Sequence, residues 1–189
     1  LITAAFRDTP HPGDAVLQGS FEGDEPFAIA AAFAGKHNWG EPTAAFLDQH
    51  YTALSFLSEA GLRFWLPAYL CADVRGELTT ADPLFGLIHG FSVMQVELPN
   101  DAGGITLHRS GGDVLLGPPR YGAMTWEDAS RHRLSVFCRE EAAAIVAYLH
   151  WRTRHDDSVH EAPRITVALD RFWRDRAEHA PPHTDLAAY

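Results

Sequence analysis

At 189 residues, with 46% hydrophobic and 21% charged side chains, the chain has the size and composition of one globular domain with a real core. Its formal charge of −10 argues against a phosphate backbone as a general partner, so no nucleic acid is expected. No charged-then-apolar leader, no run near the ~18 apolar residues of a membrane span and no metal-type spacing between Cys71 and Cys138 point to a cytoplasmic, reduced setting without a membrane partner.

Residues 1–7 read as the end of a short amphipathic helix, with Leu1, Ile2, Ala5 and Phe6 on one side. Residues 8–14, DTPHPGD, form a turn-rich loop, and His11 between its prolines reads as an exposed loop histidine. A helix follows, with Asp24 at its cap, Pro26 in its first turn, Phe27, Ile29, Ala30 and Phe33 on its apolar side and Gly35 as terminator. Another starts after Glu41-Pro42 and carries Phe46, Leu47, His50 and Tyr51. His37 and His50, on either side of the intervening turn, read as two surface imidazoles rather than a metal pair.

The stretch that organises the chain is residues 53–76, ALSFLSEAGLRFWLPAYLCADVRG. Ser58 stands at an N-cap, and Leu57 and Leu62 occupy the positions of a hydrophobic staple. Leu62, Trp65, Leu66, Tyr69, Leu70 and Val74 then recur at helical spacing and give one broad apolar face. Pro67 cannot donate to the Arg63 carbonyl and crowds it, so a kink or stop is expected nearby. Arg63, Trp65 and Tyr69 around that carbonyl are candidate ligand- or partner-binding residues; the competing reading is that the stripe is simply core.

Asp82-Pro83 is a cap followed by proline at the first helical position, with Leu84, Leu87, Ile88 and Phe91 on the helix face. Gly86 and Gly90 weaken that helix by about 1 kcal/mol each, which predicts close packing or an early end near Gly90. The period then becomes two at Met94, Val96 and Leu98, a strand ending at Pro99. Residues 105–109 and 113–116 flank Ser110-Gly111-Gly112 as a hairpin, so a small antiparallel sheet of two or three strands is expected within 93–116. Residues 117–126 read as a surface loop whose Arg120, Tyr121 and Trp126 are further binding candidates, unless the two aromatics only tack the loop to the core.

Cys138 and Glu141 have capping-box spacing, and Ala142, Ile145, Val146 and Leu149, widened by Tyr148 and Trp151, form a stripe running to about Arg154. Pro163 opens a last helix with Ile165, Ala168, Leu169 and Phe172 inside and an Asp170–Arg174 pair outside. The expected fold is mainly α: one bundle-like, multi-helix domain over 1–180 with a small antiparallel hairpin or three-stranded sheet, and a mobile tail over 181–189.

The segment LSFLSEAGLRFWLPAYL resembles the signature of an uncharacterised bacterial family of unknown function, whose members carry segments of the type LSFLTPEGFRYYLPAY. AAFRDTPHPGD, GKHNWGEPTAAFLDQHYTALSFL and RLSVFCREEAAAIVAYLHW resemble it more loosely. The resemblance implies a mostly helical cytosolic protein, no known activity and no functional residue to carry over. Where Cys138 stands the family tends to have Ser or Thr, which implies a weaker helix start here.

Chemistry has little local signature. His150, His155 and His160 are spaced by five and so spread around a helix, and His155-Asp156 matches a phosphohydrolase dyad only by two letters. Metal-protease, nucleophile-elbow, P-loop and dinucleotide motifs are absent, so no metal or cofactor is expected. Arg131, Arg133 and Arg139 read as dispersed helix-surface charge, and Cys71 as an inert buried thiol. The favoured function is a non-catalytic protein-binding or regulatory, immunity-like module that engages another protein or a second copy of itself as a homodimer. The alternative is a small hydrolase or other enzyme with a pocket beside Pro67. The first requires a flat apolar patch with a polar rim, the second a deep pocket of convergent polar groups.

Overall fold

Helix α5, Glu59–Val74, is the axis of the fold. In the computed structural model, which describes residues 1–99, 105–155 and 160–186, Ser58 caps this helix by accepting the Gly61 N–H at 3.0 Å and donates to the Val16 carbonyl. The helix runs through Pro67 to Val74, and ten of its sixteen residues are buried, so it is enclosed on nearly all sides rather than along one stripe. Val74, expected on the apolar face, is 41% exposed near the end of the helix.

The first half of the chain wraps this axis with α1 (Ile2–Ala5), α2 (Glu25–Phe33), α3 (Ala44–Gln49), α4 (Ala53–Phe56) and α6 (Pro83–Ile88). Asp82 caps α6 through the Leu84 N–H, with Pro83 at the first position. After α6 the chain tightens into a 3-10 turn, His89–Phe91, and a Cβ on Gly90 would overlap Ser130. Close approach and an early end thus coincide at this glycine. Asp24 makes no side-chain cap to α2, and Phe27 points outward at 51% exposure while Ile29 and Phe33 are buried.

Strands β1 (Met94–Pro99) and β2 (Ile105–Ser110) pair antiparallel, Met94 opposite Ser110 and Pro99 opposite Ile105. The expected hairpin of 105–109 with 113–116 does not form. Instead Gly111 and Gly112 carry positive φ and draw the chain back: the Gly112 N–H donates to the Gly90 carbonyl, and a Cβ on Gly111 would strike the Ser92 carbonyl. Leu115 makes only an isolated bridge to Thr125.

The supposed loop 117–126 contains a short helix α7 (Pro118–Tyr121) and leads into α8 (Trp126–Leu134), which the sequence reading missed. A capping box starts α8: Thr125 accepts the Asp128 N–H and the Asp128 carboxylate accepts the Thr125 N–H. Arg133 is not dispersed surface charge. It donates to the Leu54 and Leu57 carbonyls at 2.8 Å each, closing the end of α4.

Helix α9 (Arg139–His155) buries Ala142, Ala144, Ile145, Tyr148 and Leu149, and α10 (Glu161–Ala168) begins two residues before Pro163. One π turn, Leu169–Trp173, joins α10 to α11 (Arg174–His179) and lets adjacent Phe172 and Trp173 both face inward. Phe172 stacks on Phe91 at 5.4 Å, and the Trp173 indole donates to the Leu87 carbonyl at 2.9 Å. Within the expected mobile tail, α12 (His183–Leu186) is tied to the start of α9 through the His183 N–H and the Glu140 carboxylate at 2.9 Å. No helix among the described residues is long and apolar enough to cross a membrane.

Candidate functional site

The six residues singled out in the sequence do not converge. Arg63 faces Glu141 on α9, whose side chain is fully enclosed: Arg63 Nε donates to its two oxygens at 3.0 and 2.8 Å, Thr9 Oγ1 donates at 2.7 Å and the Cys138 N–H at 2.9 Å. The carboxylate is thus matched, and only Arg63 Nη2 is left without a partner. Burial pushes the neighbouring Cys138 thiol up to about 11, which keeps it protonated and non-nucleophilic. Trp65 is fully buried, edge-on to Phe33 and Phe64 at 4.9 Å each. The buried Tyr69 hydroxyl donates to the His50 carbonyl at the end of α3 at 2.8 Å, and burial raises its pKa. A depression of about 190 Å³ beside the second half of α5 is lined by Thr3, Trp39, Pro42, Ala68, Cys71 and Arg75, and Arg63 and Tyr69 are not part of it.

Trp126 lies against His89 with ring centres 5.2 Å apart. Arg120 and Tyr121 belong to a different surface. Arg120 pairs with Glu22 and lies over the Tyr121 ring, which brings α7 beside the 21–24 turn that precedes α2. There Phe21 and Phe27 stand edge-to-face at 6.3 Å, 79% and 51% exposed, with Tyr121 41% exposed. Glu22, Asp24 and Glu25, all exposed, give this apolar surface an acidic rim. Exposed Phe21 and Phe27 had no periodicity to announce them: Phe21 sits in a turn, and Phe27 matched the apolar side of a helix.

A second cluster was also missed. His11 is not an exposed loop residue: its side chain is 13% exposed, wedged edge-on against Phe64 at 4.8 Å. Gly35, at φ 75°, turns the chain after α2 so that His37 meets His11 with ring centres 4.6 Å apart. Asp14 opens the 3-10 turn Asp14–Val16 and accepts the Gly35 N–H at 3.0 Å, fastening the two loops together. Its other oxygen is 3.9 Å from His11 Nε2. One ligand atom from each of His11, Asp14 and His37 lies within 4.8 Å of the others, a donor set of two imidazoles and a carboxylate. Burial, then the neighbouring His37, holds the His11 pKa below its ordinary value, so the ring is neutral at pH 7. His50 takes no part. It packs on Phe46 at 4.5 Å, and burial followed by Lys36 lowers its pKa. The available signal was His11 and Asp14 three residues apart in a proline-stiffened loop, with His37 just past a helix-ending glycine. Of the His155-Asp156 dyad, His155 is exposed and Asp156 lies outside the described residues.

No curated protein and no solved structure matches the chain. One family model does, over residues 1–100, which takes in α5, the His11–Asp14–His37 cluster and the Phe21–Phe27 turn but not Glu141 or α7. On that match, which spans more than half of its length, the chain belongs to a family of unknown function (DUF6714).

Proposed function

We propose that the protein is a non-catalytic binding module of a regulatory or immunity type, which engages another protein through the surface of Phe21, Phe27, Arg120 and Tyr121. The observation that carries this reading is the pair of exposed phenylalanines meeting edge-to-face within an acidic rim. Single exposed apolar residues are ordinary on protein surfaces, but adjoining aromatic ones ringed by charge mark association sites. The rim selects the partner. With Glu22 paired to Arg120, Asp24 and Glu25 favour a protein with an apolar centre and basic surroundings, and they disfavour a nucleic acid or a second copy bearing the same charges. A cytoplasmic setting agrees with Cys71 and Cys138 both being free thiols. An enzyme pocket beside Pro67 has less support, since Arg63 and Tyr69 are committed to Glu141 and the His50 carbonyl.

The test compares wild type with a Phe21→Ser/Phe27→Ser variant, both tagged and expressed in the source cells, by affinity capture and native mass. The reading expects one basic protein at fixed stoichiometry, depleted at least tenfold by the variant and released by ~0.5 M salt. Equal capture by both, no stoichiometric partner, or a stable homodimer of this chain overturns it.

A further inference from the structure

The structure assigns a metal site: we propose that His11, Asp14 and His37 hold one divalent transition cation of the zinc class, with a fourth position open to water. Three segments distant in sequence are brought together to make it. Pro10 and Pro12 stiffen the backbone on either side of His11, and Phe64 of α5 fixes the plane of its ring. The Gly35 N–H holds one oxygen of Asp14 and leaves the other directed at His11, the arrangement expected of a carboxylate that binds through a single oxygen. His37 brings its Nδ1 to 3.5 Å from His11 Nδ1.

A second observation points to a missing ligand. His11 Nε2 is sealed from solvent and has no hydrogen-bond partner. Buried polar atoms are rarely left unmatched in a folded protein, and one beside a carboxylate and a second imidazole marks a place for an occupant. Nitrogen and oxygen ligands at about 2.0–2.2 Å in a tetrahedron stand about 3.4 Å apart. The present separations, up to 4.8 Å, thus require an inward movement of roughly 1 Å, which the exposed His37 can make.

Two imidazoles with one carboxylate select zinc and its neighbours over calcium or magnesium, which prefer oxygen alone. Coordination through His11 Nε2 requires its ring proton to sit on Nδ1. The Gly13 N–H, which now donates to Nδ1 at 3.0 Å, then gives way, so metal uptake is coupled to a change of tautomer. Nothing in this site uses Phe21 or Phe27, so it stands apart from the partner surface.

The experiment titrates chelator-treated protein with Zn²⁺ by calorimetry and with Co²⁺ by visible absorption, for wild type, His37→Ala, Asp14→Asn and a His132→Gln control. Both His37 and Asp14 are exposed, so their variants keep the fold, which circular dichroism verifies. We expect one ion per chain with intense tetrahedral Co²⁺ bands, a 100-fold or greater loss of affinity in His37→Ala and Asp14→Asn, and no change in the control. No saturable binding, or binding that both site variants retain, assigns any uptake to scattered histidines among the eleven of the chain and overturns the proposal.

Discussion

Two polar clusters lie at the two ends of one short loop, and they differ in whether the group at their centre, the Glu141 carboxylate or the His11 ring, is matched. Thr9 reaches one way, to a Glu141 carboxylate that receives three groups: a hydroxyl, a guanidinium and a backbone N–H. His11, two residues on, turns the other way to meet His37 and Asp14, and its Nε2 is buried with nothing to bond. Both clusters lean on α5, the first through Arg63 and the second through Phe64. A matched buried charge fastens elements together, here α5, α9 and the N-terminal loop. An unmatched buried nitrogen adds no stability of its own and stays open to an occupant.

Substitutions make this difference measurable. Glu141→Leu leaves the Arg63 charge, 12% exposed, without its carboxylate, and should cost about 3–5 kcal/mol by urea denaturation. Adding Arg63→Met should recover most of that, since a well-packed apolar pair often equals a buried ion pair. A loss under ~1 kcal/mol in the single variant would show that the junction is solvated and the contrast false. Thr9→Val keeps the shape of the 7%-exposed side chain but removes one bond to a charged acceptor, for about 1.5–3 kcal/mol in the same assay. On the other side, His11→Phe in metal-free protein preserves the ring against Phe64 and sacrifices the bond from Gly13 and the 3.5 Å contact with His37. It should shift stability by no more than about 1 kcal/mol. A cost as large as that of Glu141→Leu would make the histidine cluster a structural junction of the same kind.

The matched cluster was half legible in the sequence and the unmatched one hardly at all. Helix α5 could be read because cap, staple and stripe all specify the same element, and the Cys138–Glu141 spacing placed a carboxylate at a helix start. That Arg63 and Thr9 meet this carboxylate is a long-range fact with no local pattern. His11 was misread because its burial is supplied by Phe64 from a distant segment, whereas its immediate neighbours spell an exposed turn. Similar reasons explain the misread sheet and the missed helix. Gly111 and Gly112 look like hairpin residues, but their positive φ serves a close approach to Ser92 and Gly90. Helix α8 buries only Leu134, so it lacked the stripe that exposes a helix, and its Thr125–Asp128 capping box was the one usable sign. The π turn at Leu169–Trp173 has no sequence marker except two adjacent large aromatics that both face inward.

The smallest predicted effect separates the two clusters from the acid response of the rest of the chain. His89, packed against Phe85 at 4.3 Å and Trp126 at 5.2 Å, belongs to neither cluster. Burial, aided by the Arg164 charge, brings its pKa down from 6.5 to about 4. The folded state therefore favours the neutral ring, while the unfolded chain takes up a proton as pH falls through about 6.5. Over that interval the unfolded state binds more protons than the folded one, so stability declines from pH 6.5 toward pH 4 and levels once the folded ring is also protonated. His89→Gln removes the titrating group, and its stability curve should be flatter than wild type between those limits. Parallel curves would place the acid sensitivity elsewhere, and His11, whose pKa is also lowered, is the first residue to substitute next.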